Sequence, residues 1–234
     1  MPYPTTWSGS KPGGPASTGA AVTEPHHPVT IRPYRRTDLD AVSHICMRTG
    51  DAGKDAHAFY RNTDLLPDIF VRPYLAAHPG LSFVADDGGH AVGYIVGTHD
   101  TRAFVTWFRH TWLPPLTGRH PLPVRPAEGW HDTMTLSLYR PERMLWPELA
   151  DHPAHVHANL LPDYQRRGLG GRLMAAFLEA LSDAGAPGVH AAHSKYNISA
   201  RGYYKKMGFV PLTVADPDPV RYVGRRLSPD STFP

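Results

Sequence analysis

Residues 160–171 read Leu-Leu-Pro-Asp-Tyr-Gln-Arg-Arg-Gly-Leu-Gly-Gly. An apolar strand end runs into a turn that carries two arginines and three glycines, and an amphipathic segment follows at once. That order describes a strand feeding an anion-binding turn and then a helix. The N–H groups of such a turn, and of the first helical turn, have no partner of their own and suit phosphate oxygens. Arg166 and Arg167 add fixed positive charge beside them, and the small residues Gly168, Gly170 and Gly171 let a ligand approach the backbone around Leu169. The stretch is neither GxGxxG nor a P-loop, since no Lys-Ser or Lys-Thr pair follows Gly171. A diphosphate-bearing cofactor is the sharp reading, and a structural helix entry is the bland one.

The flanks supply the rest of a mixed α/β sheet. Upstream, 155–160 (HVHANL) reads as a strand; downstream, a helix runs from Gly170 to Leu181 with Leu173, Phe177 and Leu181 on one face. A short strand at 189–192, a helix from about Ser199 to Lys206 and closing strands at 209–213 and 222–227 follow. Nearer the N-terminus, 29–33 is a strand. Thr37 or Asp38 can cap a helix whose face is Leu39, Val42, Ile45 and Cys46, and Gly50 ends it. A segment at 64–77 reads as a helix broken or bent by Pro67 and Pro73. Strands 81–85 and 91–97 face each other across Asp87-Gly88-Gly89, a hairpin signal, and the first is apolar on both faces as an inner strand should be.

Residues 100–153 stand apart. They hold Trp107, Trp112, Trp130 and Trp146 among eight prolines, with a helix from Ala103 to Leu113 ended by Pro114-Pro115. So aromatic a segment reads as an ordered lid or interface insertion, the latter implying a homodimer, rather than a loose linker. Residues 1–28, rich in Pro, Gly, Ser, Thr and Ala, read as a disordered arm without the apolar stretch of a secretion signal, and 228–234 as a flexible tail. The domain proper is 29–227.

With 24 Lys+Arg against 21 Asp+Glu and no dense basic run, a nucleic-acid partner is not indicated. No apolar run is long enough for a membrane span, and cytoplasm is the default location. Cys46 is the single cysteine, which excludes a disulfide framework and a cysteine-based zinc site; it reads as a buried thiol. His152, His155, His157, His190 and His193 invite a metal reading, but no carboxylate-rich pattern or HExxH accompanies them and no metal is expected.

A second motif, Asn197 to Phe209 (NISARGYYKKMGF), places Tyr204 two helical turns after Asn197. By itself it is an asparagine cap followed by a tyrosine-rich packing helix. Together with QRRGLGG at 165–171, Pro162, Tyr164, the opening IRPYRRTDLDAV and the hairpin, it resembles the GCN5-related N-acetyltransferase (GNAT) family over roughly residues 29–99 and 154–227. Within that family the chain looks most like the acetyltransferase-like domain attached to O-GlcNAc hydrolases and its free-standing bacterial relatives; glycosidase activity is not among the implications.

The resemblance implies a mostly antiparallel sheet flanked by helices and splayed at two central parallel strands. It implies acetyl-CoA, with the pyrophosphate on the amides of Arg166, Arg167, Gly168, Leu169, Gly170 and Gly171, and with the thioester near the backbone of Leu160 or Leu161. Asn197 would meet the cofactor's polar tail, and Tyr204 stands where the family's acid stands. The acceptor would be an amine-bearing small molecule or a protein lysine. The base is left open: His155 and His157 share one strand face and are the candidates, Asp132 and Asp163 lesser ones, and histidines that merely line a polar face are the alternative. A CoA-binding interaction module with little turnover is the competing function.

Overall fold

The computed structural model describes residues 28–124, 126–215 and 219–227, so the arm and tail read at 1–28 and 228–234 lie, but for Pro28, outside the described residues. Seven strands form one sheet, β1 (Thr30–Pro33), β2 (Ser82–Asp87), β3 (His90–Thr98), β4 (Ala154–Leu160), β5 (Gly188–Ser194), β6 (Val210–Leu212) and β7 (Val220–Arg226), in the order β1-β2-β3-β4-β5-β7-β6. Every neighbouring pair is antiparallel except β4 and β5. That parallel pair holds register only at Ala154↔Val189 and His155↔His190, and beyond those positions the two strands part. The expected splayed sheet is therefore present.

The hairpin turn between β2 and β3 has Gly88 at φ 58° and Gly89 at φ 95°. Two successive left-handed residues match the twist of the flanking strands, which is why the Gly-Gly pair sits there. β2 lies between β1 and β3, with Val84 in one core and Ala85 in the other, so its apolar residues on both faces are used.

Two apolar layers cover the sheet. On one side lie α1 (Leu39–Thr49), α2 (Leu65–Phe70), α3 (Arg72–Ala77) and α4 (Thr101–Trp107), burying Val42, Ile45, Ile69, Tyr74 and Phe104 against Val84, Tyr94 and Val96. On the other lies α6 (Leu169–Asp183), whose Leu173, Phe177 and Leu181 are fully buried against Ile95, Val156 and Val189. α7 (Ile198–Lys206) joins this second layer through Tyr204. The remaining long helix, α5 (Gly129–Leu138), belongs to the 100–153 segment.

Several local expectations need correction. Asp38 does not cap α1 with its side chain; the carboxylate accepts the Arg35 N–H at 2.8 Å and pairs with Arg32, which ties β1 to the short turn before the helix. Leu39 is left partly exposed, and the helix face is carried by Val42, Ile45 and Cys46. The helix expected over 103–113 is α4 continued by a π-helical turn at Phe108–Trp112, which widens the helix just before the double proline. Helix 64–77 is broken at Val71 into α2 and α3, with Pro73 in the first turn of α3, where a missing N–H costs little.

The tryptophan-rich segment packs on the body of the protein. Trp107 and Trp112 stack at 5.9 Å against the first layer, and Trp112 Nε1 donates to Asp68 O at 2.8 Å. Asp68 is itself buried and meets Arg72 and His120 at 2.9 Å each. Trp146 donates to the Tyr222 hydroxyl at 2.9 Å and so fastens the end of the segment to β7. Among the described residues no helix is long and apolar enough to cross a membrane.

Candidate active site

The turn after β4 is built as its composition requires. Arg166 (φ 59°) and Gly168 (φ 80°) both take left-handed backbone, and α6 begins at Leu169. The first main-chain bond of α6 runs from Arg172 N–H to Gly168 O at 3.2 Å, so the N–H groups of Leu169, Gly170 and Gly171 have no acceptor within the helix. Arg166, Arg167 and Gly168 are exposed, and nothing lies within 4 Å of where a Cβ would stand on Gly168. Gly170 serves a different purpose. A Cβ there would come 3.1 Å from the Tyr203 ring, whose hydroxyl donates to Gly170 O at 2.9 Å. Gly168 thus gives the turn its shape, while Gly170 admits Tyr203. Arg167 lies over the Tyr164 ring at 5.3 Å, and Tyr164 donates to Asp87 at 2.6 Å, which anchors the turn to the hairpin.

From the splay between β4 and β5 a groove of about 680 Å³ opens across the sheet. Its walls include His157, Ala158 and Asn159 of β4, Ala192, His193 and Ser194 of β5, and Asn197, Ala200 and Tyr204 of α7. Tyr94 of β3 and the loop after α1 complete it, and Trp130 and Met134 reach it from α5. Cys46 also lines the groove but is an inert thiol, its pKa pushed up to about 12 by burial.

The main chain of β4 divides its hydrogen bonds between its two sides. Leu161 N–H donates to Val92 O at 3.0 Å, which continues the β3–β4 register Gly93↔Leu160 and makes Leu161 a hydrogen-bonded position. Antiparallel ladders alternate, so Leu160 and Ala158 turn their main-chain groups toward β5, where the partner strand has moved away. Gln165 fills one of these by donating to Leu160 O at 2.9 Å. Of the two backbone positions expected near the reacting carbonyl, Leu160 keeps its N–H toward the gap, and Leu161 has committed its own to β3.

His155 and His157 share one face of β4, but their surroundings separate them. His155 is buried, with Nδ1 2.8 Å from Thr101 Oγ1 and Nε2 2.8 Å from the Tyr74 hydroxyl. Both ring nitrogens are therefore engaged, which corrects its expected place on the reacting surface. His157 lines the groove and has Nε2 3.1 Å from the same tyrosine. The proton positions follow from one fixed end. Thr101 Oγ1 lies 2.6 Å from Pro153 O, a separation that two oxygens hold only with a proton between them. Thr101 therefore donates to Pro153, His155 Nδ1–H donates to Thr101, and Tyr74 donates to His155 Nε2. Tyr74 must then accept from His157 Nε2–H, which leaves the His157 Nδ1 lone pair as that ring's remaining basic site.

Burial lowers the pKa of His157 to about 3 and of His190 to about 4, and that of His155 well below the ordinary imidazole value, so all three are neutral near pH 7. Among the described residues no group of three His, Cys, Asp or Glu side chains is arranged to hold a metal ion. Asn197 uses Oδ1 to accept the Ala200 N–H at 3.0 Å, so it caps α7 and has its amide NH2 group with which to meet a ligand. Tyr204 is buried, its ring near-parallel to that of His193 with centroids 6.0 Å apart, and burial pushes its pKa up to about 12. Asp132 pairs with Arg61, and Asp163 lies in the exposed turn at Pro162–Tyr164; neither lines the groove. Sequence reasoning missed Tyr74, Thr101, Tyr94 and the loop residues Phe59 and Tyr60. The first two come from α3 and α4, and only the fold brings them behind β4.

Residues 144–209 match the acetyltransferase (GNAT) family. The solved structure of SsHAT is 45% identical, with 84% of this chain and 97% of that one covered and a TM-score of 0.81. The structure of yncA from Salmonella typhimurium, solved with its cofactor acetyl-CoA, is 13% identical over 88% of this chain and 98% of that one, with a TM-score of 0.52, a likeness of fold alone. Protein O-GlcNAcase from Mus musculus is 25% identical over 202 residues, 85% of this chain and 22% of that protein, so the chain spans about a fifth of its length.

Proposed function

The chain belongs to the acetyltransferase (GNAT) family, and we propose that it is an acetyl-CoA-dependent N-acetyltransferase acting on a primary amine by direct attack. Within the family we infer a kinship with the acetyltransferase-like domain of O-GlcNAc hydrolases and its free-standing bacterial relatives, and that residues 29–227 work as one domain with 100–153 inserted. The observation that carries the reading is the alignment of two features on one strand. The open N–H turn at Gly168–Gly171 follows the end of β4, and the reactive groove starts where β4 parts from β5.

The residues present fit the cofactor. Unpaired first-turn amides beside Arg166 and Arg167 match a diphosphate, and the gap beside Leu160 and Ala158 offers main-chain partners to an amide-bearing arm. Acetyl-CoA supplies an activated acetyl thioester when bound. The Leu160 N–H is the donor that stabilises negative charge developing on the carbonyl oxygen. His157 accepts the amine's proton at Nδ1. Its lowered pKa makes it a weak base, so it suits proton loss as the new bond forms rather than removal from a free ammonium beforehand. Tyr204 donates its phenolic proton toward the departing thiolate. Burial raises the phenol's pKa, and the same desolvation raises that of a thiol formed in the same groove, so the pair stays nearly matched.

The test is calorimetric titration with acetyl-CoA followed by a thiol-release assay over a panel of primary amines. Binding with amine-dependent thiol release supports the reading. Binding without release from any amine would favour a CoA-binding interaction module.

A further inference from the structure

We propose that the acceptor is a primary amine carried on an aromatic or apolar body with no second charge, an arylalkylamine in chemical class, rather than a lysine within a basic peptide. The inference rests on the acetyl-transfer reading above and names its substrate. Among the described residues, few large apolar side chains stand exposed, and four of them border this one groove: Phe59 (43% exposed), Trp130 (41%), Tyr196 (54%) and Ile198 (80%). They come from three separate parts of the chain, the loop after α1, the 100–153 segment and the start of α7. Exposed apolar groups scattered singly mean little, but a cluster gathered around the mouth of a cavity marks a ligand surface.

Inside the mouth the apolar character continues through Tyr60, Phe70 and Met134. The two sides of this pocket are joined. Arg61 next to the loop tyrosine pairs with Asp132 of α5, and the Tyr60 and His131 rings lie 6.3 Å apart. The 100–153 segment is thereby held as one wall of the groove.

Charge decides between acceptors. Among the described lining residues Asp51 is the single carboxylate and Lys54 the single lysine or arginine, and the two are bridged through their main chains at 2.8 and 3.0 Å. A basic peptide would bring several cations to a surface with one carboxylate, and each desolvated cation without a partner is costly. A single ammonium on an aromatic body meets ring faces that attract it on the way in, while its apolar part covers Phe59 and Trp130. His157 is neutral and does not repel it.

The experiment compares 2-phenylethylamine, 1,4-diaminobutane and a short peptide with lysine flanked by arginines. Each is titrated by calorimetry into the CoA-loaded full chain, and each is assayed for thiol release with acetyl-CoA. We expect 2-phenylethylamine to bind and to react roughly tenfold better than the other two. Trp130→Ala and Phe59→Ala should each cut its advantage over diaminobutane roughly fivefold, whereas Val210→Ser, at an exposed apolar position away from the groove, should leave that ratio unchanged. Equal or better binding of the diamine or the peptide would overturn the inference, as would a ratio indifferent to both aromatic substitutions or a loaded protein that binds none of the three. Amine preference as expected without acetyl transfer would keep the acceptor class and sink the catalytic reading instead.

Discussion

The Tyr74 hydroxyl oxygen stands 3.1 Å from Nε2 of His157 and accepts a hydrogen bond from that ring's N–H. It can do so because its own O–H donates to His155, whose other nitrogen is tied through Thr101 to the Pro153 carbonyl. A main-chain oxygen that can only accept thus determines, four groups away, which nitrogen of His157 carries a lone pair.

Tyr74→Phe removes one hydroxyl and keeps the ring stacked on Phe104, 4.4 Å away. It should lower kcat about 10–100-fold with KM for acetyl-CoA within a few-fold. Nitrogen NMR should show His157 shifting from the Nε2–H form to a tautomer mixture. Wild-type rate and an unchanged spectrum would contradict the chain of donors.

Tyr203 and Tyr204 should fail in different ways. Tyr204→Phe should reduce acetyl transfer roughly 10–1000-fold while cofactor affinity holds within a few-fold. Tyr203→Phe loses the bond to Gly170 O and should weaken cofactor binding instead, through the turn it braces. Binding isotherms and single-turnover rates on both variants separate the two. If the losses are interchanged, the assignment of Tyr204 as the acid is wrong.

Gly168 and Gly170 should also part company. At φ 80° Gly168 tolerates no side chain without backbone strain, so Gly168→Asp distorts the turn and sets a negative charge beside the phosphates. Acetyl-CoA affinity should fall at least about tenfold with the fold retained. Gly170→Ala presses on the Tyr203 ring and should appear first as a lower Tm. Unchanged affinity in Gly168→Asp would remove the turn from the cofactor site.

The glycine-rich turn and the two histidines of β4 mark how far the sequence could be read. QRRGLGG told its local structure, a turn feeding a helix, since glycine spacing and the amphipathic run after it are short-range features, and the strand pattern HVHANL placed His155 and His157 on one face. What separates those two histidines is not local. His155 is enclosed by Tyr74 and Thr101, which lie 81 and 54 residues upstream in sequence, and periodicity cannot say which helix will cover a strand. The commitment of Leu161 to Val92 depends on strand register in the same way. The tryptophans of 100–153 were legible as ordered, but their division between core and groove, with Trp112 on Asp68 and Trp130 at the mouth, needed the packing itself.

Acid should loosen the fold. His155, His157 and His190 are held neutral by burial, with His157 at about 3 and His190 at about 4. The unfolded chain binds these protons from about pH 6.5 downward, so the stability from neutral imidazoles is whole above that value and declines as pH falls toward the folded values. The slope is at most about 1.4 kcal/mol per pH unit for each ring. Tm should drop steadily from pH 7 to 5, and His190→Gln should flatten that dependence whatever its own Tm. A Tm constant across this range would contradict the neutral assignment.

The most direct measurement supplies acetyl-CoA labelled in the acetyl group together with a mixed set of primary amines, and follows the products by mass spectrometry in wild type and in Tyr204→Phe. The account predicts a labelled N-acetyl amine formed well above the uncatalysed rate in wild type and largely lost in the variant, with both proteins binding acetyl-CoA. Labelled cofactor bound by wild type but never transferred to any amine would contradict it.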